Sequence, residues 1–103
     1  AVIPTGLAIQ LPPGYVAKIV PRSGLAANHG ITALNSPGII DEDYRGEIKA
    51  IIVNNTTSKF RITRGMRIVQ MLVERVEPVV LDFVDTLDDT SRGAGGFGST
   101  GSH

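Results

Sequence analysis

Several short stretches of this sequence carry side chains suited to a phosphorylated ligand. In VPRSGLAANHG, Arg22 offers a guanidinium fork that matches phosphate oxygens. Ser23 and Gly24 follow where a helix should begin, and free backbone N–H groups at a helix start favour an anion. A capped helix beside a surface arginine explains the same letters. In LNSPGIIDEDYRGEIK, Asp41 comes directly after the aliphatic Ile39 and Ile40, and Tyr44 stands three residues later. A carboxylate at the edge of an apolar pocket can act as a general base towards water. A solvated turn, where Asp is common, is the plainer alternative. Asp41, Glu42 and Asp43 also suggest a cation site, but their spacing is not that of a calcium loop. In RIVQML, Gln70 sits among apolar neighbours, as either a functional amide or an outward-facing strand residue would.

The C-terminal SRGAGGFGSTGSH surrounds one aromatic ring with glycines. Phe97 could stack on a flat ring, a contact worth about 1–3 kcal/mol for a nucleobase. Arg92 could reach a phosphate, and Ser99 and Thr100 could donate to one. Gly95, Gly96 and Gly98 would let the backbone approach a phosphate chain closely. Composition alone favours a solvated, low-complexity end.

These residues need a scaffold, and the chain is long enough for one small domain of 103 residues. Short Val-, Ile- and Leu-rich runs are broken by Gly, Pro, Asn and Asp every eight to twelve residues. That rhythm predicts an all-β sandwich or barrel. The runs are TGLAIQLPPGYVAKIVP, HGITALNSPGII, GEIKAIIVNNT, FRITRGMRIVQMLVERV and PVVLDFV. LPPG reads as a turn, and NNTTSK as a turn joining two antiparallel strands. RSGLAANHGI is the exception: one short helix, with Ser23 as its N-cap and Gly30 at its C-terminal stop. Residues 1–84 form the expected core and 85–103 a flexible arm. KAIIVNN and RIVQMLV hold more apolar residues than one buried face needs, which points to oligomerisation.

Ten basic and ten acidic residues cancel, so the basic footprint of a duplex binder is absent and no nucleic-acid partner is expected. No cysteine is present, which rules out thiolate chemistry and disulfides. No apolar run reaches membrane length, and a cytoplasmic protein with no membrane partner is expected. The two histidines, His29 and His103, offer no serine–histidine pairing by spacing.

Taken together and in order, the stretches resemble the trimeric dUTP pyrophosphatase (dUTPase) family. PRSGLA (21–26) looks like the second of that family's five motifs, GIIDEDYRGEI (38–48) like the third and RGMRIVQM (64–71) like the fourth. Val69 stands where alanine is common. RGAGGFGST (92–100) looks like the fifth, and PTGLAIQLPPGY matches the strand before the second. The first motif, Ala-Gly-x-Asp-Leu, is not in the sequence. It is expected upstream of Ala1 with a first strand, and its Asp belongs to the magnesium side of the site.

The resemblance implies a jelly-roll-like, distorted β-barrel assembled as a homotrimer with shared active sites. It implies hydrolysis of dUTP to dUMP and pyrophosphate, with magnesium as cofactor held by the triphosphate rather than directly by protein. Asp41 would activate the attacking water, and Tyr44 would pack on the deoxyribose and exclude a 2′-hydroxyl. A hairpin from Ile31 to Tyr44 would form the uracil pocket. In it the main chain of Gly38, Ile39 and Ile40 would read the base edge, with Asn35 and Lys49 beside it. Arg22, Ser23 and Gly24 would bind phosphates from a neighbouring subunit, and Gln70 would serve the phosphate side and the metal through water. Phe97 would stack on uracil while Arg92, Gly98, Ser99 and Thr100 clasp the phosphates. The same fold also serves dCTP deaminases, and a non-catalytic nucleotide-binding module is the other alternative. The third motif and the Phe97 tail favour the dUTPase.

Overall fold

The structure, a computed structural model, describes residues 1–98. Six strands and one short helix follow in the order β1 (Val2–Pro4), β2 (Tyr15–Pro21), α1 (Ser23–His29), β3 (Ile31–Ala33), β4 (Gly38–Ile40), β5 (Lys49–Asn54) and β6 (Val69–Arg75). They form two three-stranded antiparallel sheets, β1-β5-β3 and β4-β2-β6. The all-β expectation holds.

Period-two alternation explains the core. Ala17 and Ile19 on β2, Ala50 and Ile52 on β5, and Ile31 and Ala33 on β3 are buried, while the residues between them are more open. Ile31, Ala50, Ile52 and Ile68 make the central cluster, with Ile3, Leu25, Phe60, Ile62 and Val69 packed against it. Burying an Ile side chain contributes about 1.5–3 kcal/mol, so the sandwich rests on a handful of aliphatics. No polar side chain is buried among the described residues.

The helix forms where expected, but its cap differs. Arg22 is the N-cap: it is extended, at φ −98° and ψ 129°, and its carbonyl accepts the Ala26 N–H at 3.1 Å. Ser23 is already helical, and no side chain caps the helix. β2 runs to Pro21, so the extended residue leaving the strand takes the capping position. Gly30 ends the helix in the left-handed region at φ 65°, as a Gly stop should. A Cβ there would also lie 2.6 Å from Thr56 Cγ2, so both conformation and space require glycine.

Four other expectations change. First, Ile31 to Tyr44 is not a paired hairpin. β3 pairs only with β5 and β4 only with β2, so the chain crosses from one sheet to the other at residues 34–37. Second, NNTTSK is a turn, closed by the Asn54 carboxamide oxygen accepting the Thr56 N–H at 2.9 Å, but the strand before it and the strand after it lie in different sheets. Third, the strand in FRITRGMRIVQMLVERV starts only at Val69, because a turn at Gly65 (φ 82°), with Met66 N–H on the Thr63 carbonyl at 3.0 Å, interrupts the run. Fourth, TGLAIQL and PVVLDFV have no strand of their own.

The PVVLDFV run finds no partner strand in this chain. Val80 and Phe83 are each 94% exposed, and Leu81 is 81% exposed. Beyond Arg75 the described chain has no helix or strand. The radius of gyration is 19.0 Å, against about 13 Å for a compact chain of this length. Met71, Leu72 and Val73 on β6 are also exposed, so the single chain leaves a continuous apolar surface open. Among the described residues no helix is long and apolar enough to cross a membrane.

Candidate active site

β4 lies at the edge of its sheet. Its one neighbour is β2, with Ile40 opposite Ala17 and Gly38 opposite Ile19. Backbone N–H and C=O groups on the other side of Gly38, Ile39 and Ile40 therefore have no strand partner among the described residues. That row of donors and acceptors opens on a cleft of about 350 Å³ between β4 and the β5–β1 pair.

The cleft brings together six of the residues expected in a uracil site: Asn35, Gly38, Ile39, Ile40, Tyr44 and Lys49. Ile19, Ala33 and Ala50 supply apolar walls behind them. Gly38 is buried because Asn35 closes over it. A Cβ at Gly38 would meet the Asn35 amide nitrogen at 3.3 Å and Ile19 Cβ at 3.5 Å. An apolar slot with a polar main-chain edge suits a flat base bearing donors and acceptors.

Asp41 follows the last residue of β4 and is exposed. Its carbonyl accepts the Tyr44 N–H at 3.1 Å, closing a turn. Arg45 braces that turn by donating from Nη1 to the Glu42 carbonyl at 2.7 Å and the Tyr44 carbonyl at 3.1 Å. Glu42 ties it to the rest of the fold, its Oε2 accepting the Gly14 N–H at 2.8 Å. Tyr44 is held in turn by its hydroxyl, which donates to the Glu47 carbonyl at 2.9 Å. Sequence reasoning missed the Glu42, Gly46 and Glu47 supports. Their only signal was adjacency to Asp41 and Tyr44 in DEDYRGE.

Arg22 and Gln70 lie elsewhere. They share a second cleft of about 350 Å³, formed with Thr5, Leu7 and residues 66–71. Arg22 donates from Nη1 to the Arg67 carbonyl at 3.2 Å, and Gln70 donates from Nε2 to the Pro21 carbonyl at 3.2 Å. The Gln70 carbonyl oxygen is thus left as an acceptor. Ser23 and Gly24 open α1 beside them and are exposed.

The arm residues join neither group. Arg92 folds onto its own loop, with Nε donating to the Gly95 carbonyl, and the Gly95 N–H returns to the Arg92 carbonyl at 3.2 Å. Phe97 is fully exposed beside Gly98. Ser99 and Thr100 lie outside the described residues. One chain therefore presents a base-shaped cleft, a separate Arg22–Gln70 cleft and an unattached arm.

Among the described residues no three acidic or histidine side chains gather to hold a metal ion. The chain offers single oxygen donors instead, the Asp41 carboxylate and the Gln70 carbonyl oxygen. Such donors fit a cation that arrives on a polyphosphate and keeps part of its water shell.

A family model described as dUTPase matches residues 1–101. The chain is 57% identical over 99 residues to the deoxyuridine 5′-triphosphate nucleotidohydrolase of Gloeothece citriformis, covering 96% of this chain and 68% of that protein. It is 54% identical over 99 residues to the enzyme of the same name from Maricaulis maris, covering 96% and 65%. Its fold is similar to that of the Staphylococcus bacteriophage 80alpha dUTPase solved with dUpNHpp, at a TM-score of 0.81 and 25% identity, over 99% of this chain and 76% of that one.

Proposed function

This chain belongs to the dUTPase family, whose reaction is the hydrolysis of dUTP, and from that premise we propose how its own residues divide the work. Uracil enters the cleft beside β4, with Asn35 and Lys49 at its rim. The unpaired main-chain groups of Gly38, Ile39 and Ile40 read its edge, and that open edge is the single observation that carries the assignment. A backbone reader rejects cytosine, because exchanging a donor for an acceptor leaves buried polar groups unpaired. Tyr44 packs on the deoxyribose and leaves no room for a 2′-hydroxyl.

Asp41, exposed at the end of β4, holds a water in line with the α-phosphorus and takes its proton as the new P–O bond forms. Pyrophosphate leaves and dUMP remains. Arg22, with Ser23 and Gly24 at the start of α1, binds phosphate oxygens, and Gln70 presents its carbonyl oxygen to the hydrated side of the triphosphate. Magnesium, when it arrives with the nucleotide, neutralises charge on the phosphates. The printed description of one structural neighbour, a Staphylococcus aureus phage phi11 dUTPase, refers to a structural Mg(II) ion.

The assembly is a homotrimer in which neighbouring copies complete each site. Two observations support this. The Arg22–Gln70 cleft and the base cleft are separate in one chain, and the β6 face and the PVVLDFV run stand open. The arm then closes over bound nucleotide: Phe97 stacks on uracil, and Arg92, Gly98, Ser99 and Thr100 cover the phosphates and shut out water. A cytoplasmic location is in keeping with the absence of cysteine.

Pyrophosphate release from dUTP, with dCTP, dTTP and UTP as controls, tests the assignment. Release from dUTP alone is expected. Ammonia release from dCTP would point to deamination instead.

A further inference from the structure

Gly46 lies against the ring of Tyr44. A Cβ built at Gly46 would collide with the Tyr44 hydroxyl oxygen and would stand 2.6 Å from Cζ and 3.0 Å from Cε1. Real Cβ atoms do not approach so closely, so a side chain there must move the ring. The backbone gives no other reason for glycine. Gly46 is not among the positive-φ residues, so its conformation is open to any amino acid. Gly46 is also exposed, and its Cβ would meet no atom of the core.

The ring is fixed from the other side as well. The Tyr44 hydroxyl donates to the Glu47 carbonyl at 2.9 Å, and the Tyr44 N–H donates to the Asp41 carbonyl at 3.1 Å. One phenol is therefore pinned at both ends, with its tip seated over a residue that has no side chain. We infer that Gly46 is a specificity-determining positioning residue, the missing side chain that lets Tyr44 lie where a ribose 2′-hydroxyl would clash. This inference rests on the proposed contact between Tyr44 and the deoxyribose. Its substrate-side consequence is a choice between 2′-deoxyribonucleotide and ribonucleotide. Displacing the ring should relax that choice without removing uracil recognition, which belongs to β4.

The test is a double-mutant cycle on the native full-length protein. The readout is the ratio of affinities for the non-hydrolysable imido analogues of dUTP and UTP, measured by calorimetry, so that it does not depend on turnover. Gly46→Ala should lower the deoxy-over-ribo ratio roughly tenfold, the scale of a displacement near 1 Å or less. Thermal stability should be nearly unchanged. Tyr44→Ala should lower the ratio as far or further, and Gly46→Ala added to Tyr44→Ala should lower it no more, since Gly46 acts only through that ring. Tyr44→Phe, which keeps the ring but loses the bond to the Glu47 carbonyl, should fall between wild type and Gly46→Ala. An unchanged ratio in Gly46→Ala, with a lost ratio in Tyr44→Ala, would overturn the role of Gly46 alone. An unchanged ratio in Tyr44→Ala would overturn the sugar contact itself and the inference with it. Additive losses in the double variant would assign Gly46 a separate structural part and also overturn the inference.

Discussion

The Glu42 carboxylate accepts the Gly14 N–H at 2.8 Å, which fastens the residue after Asp41 to the turn that starts β2. Twenty-eight positions separate the two residues in the chain. Gly14 stands at φ 85° in the turn that the Tyr15 N–H closes on the Pro12 carbonyl at 3.3 Å. The LPPG turn therefore does more than reverse the chain: it presents a backbone donor to the loop that carries the proposed base.

The strength of that tie can be read from Glu42. Glu42→Ala should lower kcat severalfold to about tenfold while KM for dUTP changes little, because Asp41 loses alignment and the base cleft is untouched. The stability loss should stay within about 0.5–1.5 kcal/mol, since the bond is exposed. Glu42→Gln keeps an acceptor and should stay close to wild type. Equal losses in kcat for Gln and Ala would assign the effect to charge rather than to the bond.

Shared sites predict complementation. Asp41→Asn and Arg22→Ala homotrimers should each turn over dUTP poorly. Unfolded together and refolded as mixed trimers, about a quarter of the sites should regain both intact residues if these come from different subunits. Pyrophosphate release in the mixture should then exceed the average of the two parents. A mixture that merely averages them would place Asp41 and Arg22 of one site on the same chain.

Removing residues 92–103 should abolish most turnover and leave the thermal midpoint nearly unchanged. The described part of that segment adds no strand and none of the core residues. Phe97→Ala alone should weaken nucleotide binding by about 1–3 kcal/mol, the value of one base–aromatic stack. A collapse of stability on truncation would make the arm a structural element instead of a cover.

Local chemistry accounts for what could be read directly from the residues. Gly30 stops α1 because a left-handed residue ends a helix, and the alternation in β2 and β5 places Ala17, Ile19, Ala50 and Ile52 inward. What escaped depends on partners distant in the chain. Whether Ile31–Ala33 pairs with Gly38–Ile40 or with β5 is decided by sheet packing, and no local pattern in LNSPG reports it. PVVLDFV has strand composition, yet β-propensity expresses itself only against a neighbouring strand, and this chain offers none. In the site, Asn35, Ile39 and Tyr44 were legible as types at a spacing. Their supports were not, because Gly14 to Glu42 and Gly46 to Tyr44 are relationships of space.

The most direct measurement compares wild type with Asp41→Asn for two quantities: affinity for the imido analogue of dUTP, and the rate of pyrophosphate release from dUTP in magnesium. The account predicts affinity within about twofold and a release rate lower by roughly 10²- to 10⁴-fold, the usual contribution of a positioned general base. Near-normal release from Asp41→Asn would contradict it and remove Asp41 from the chemistry.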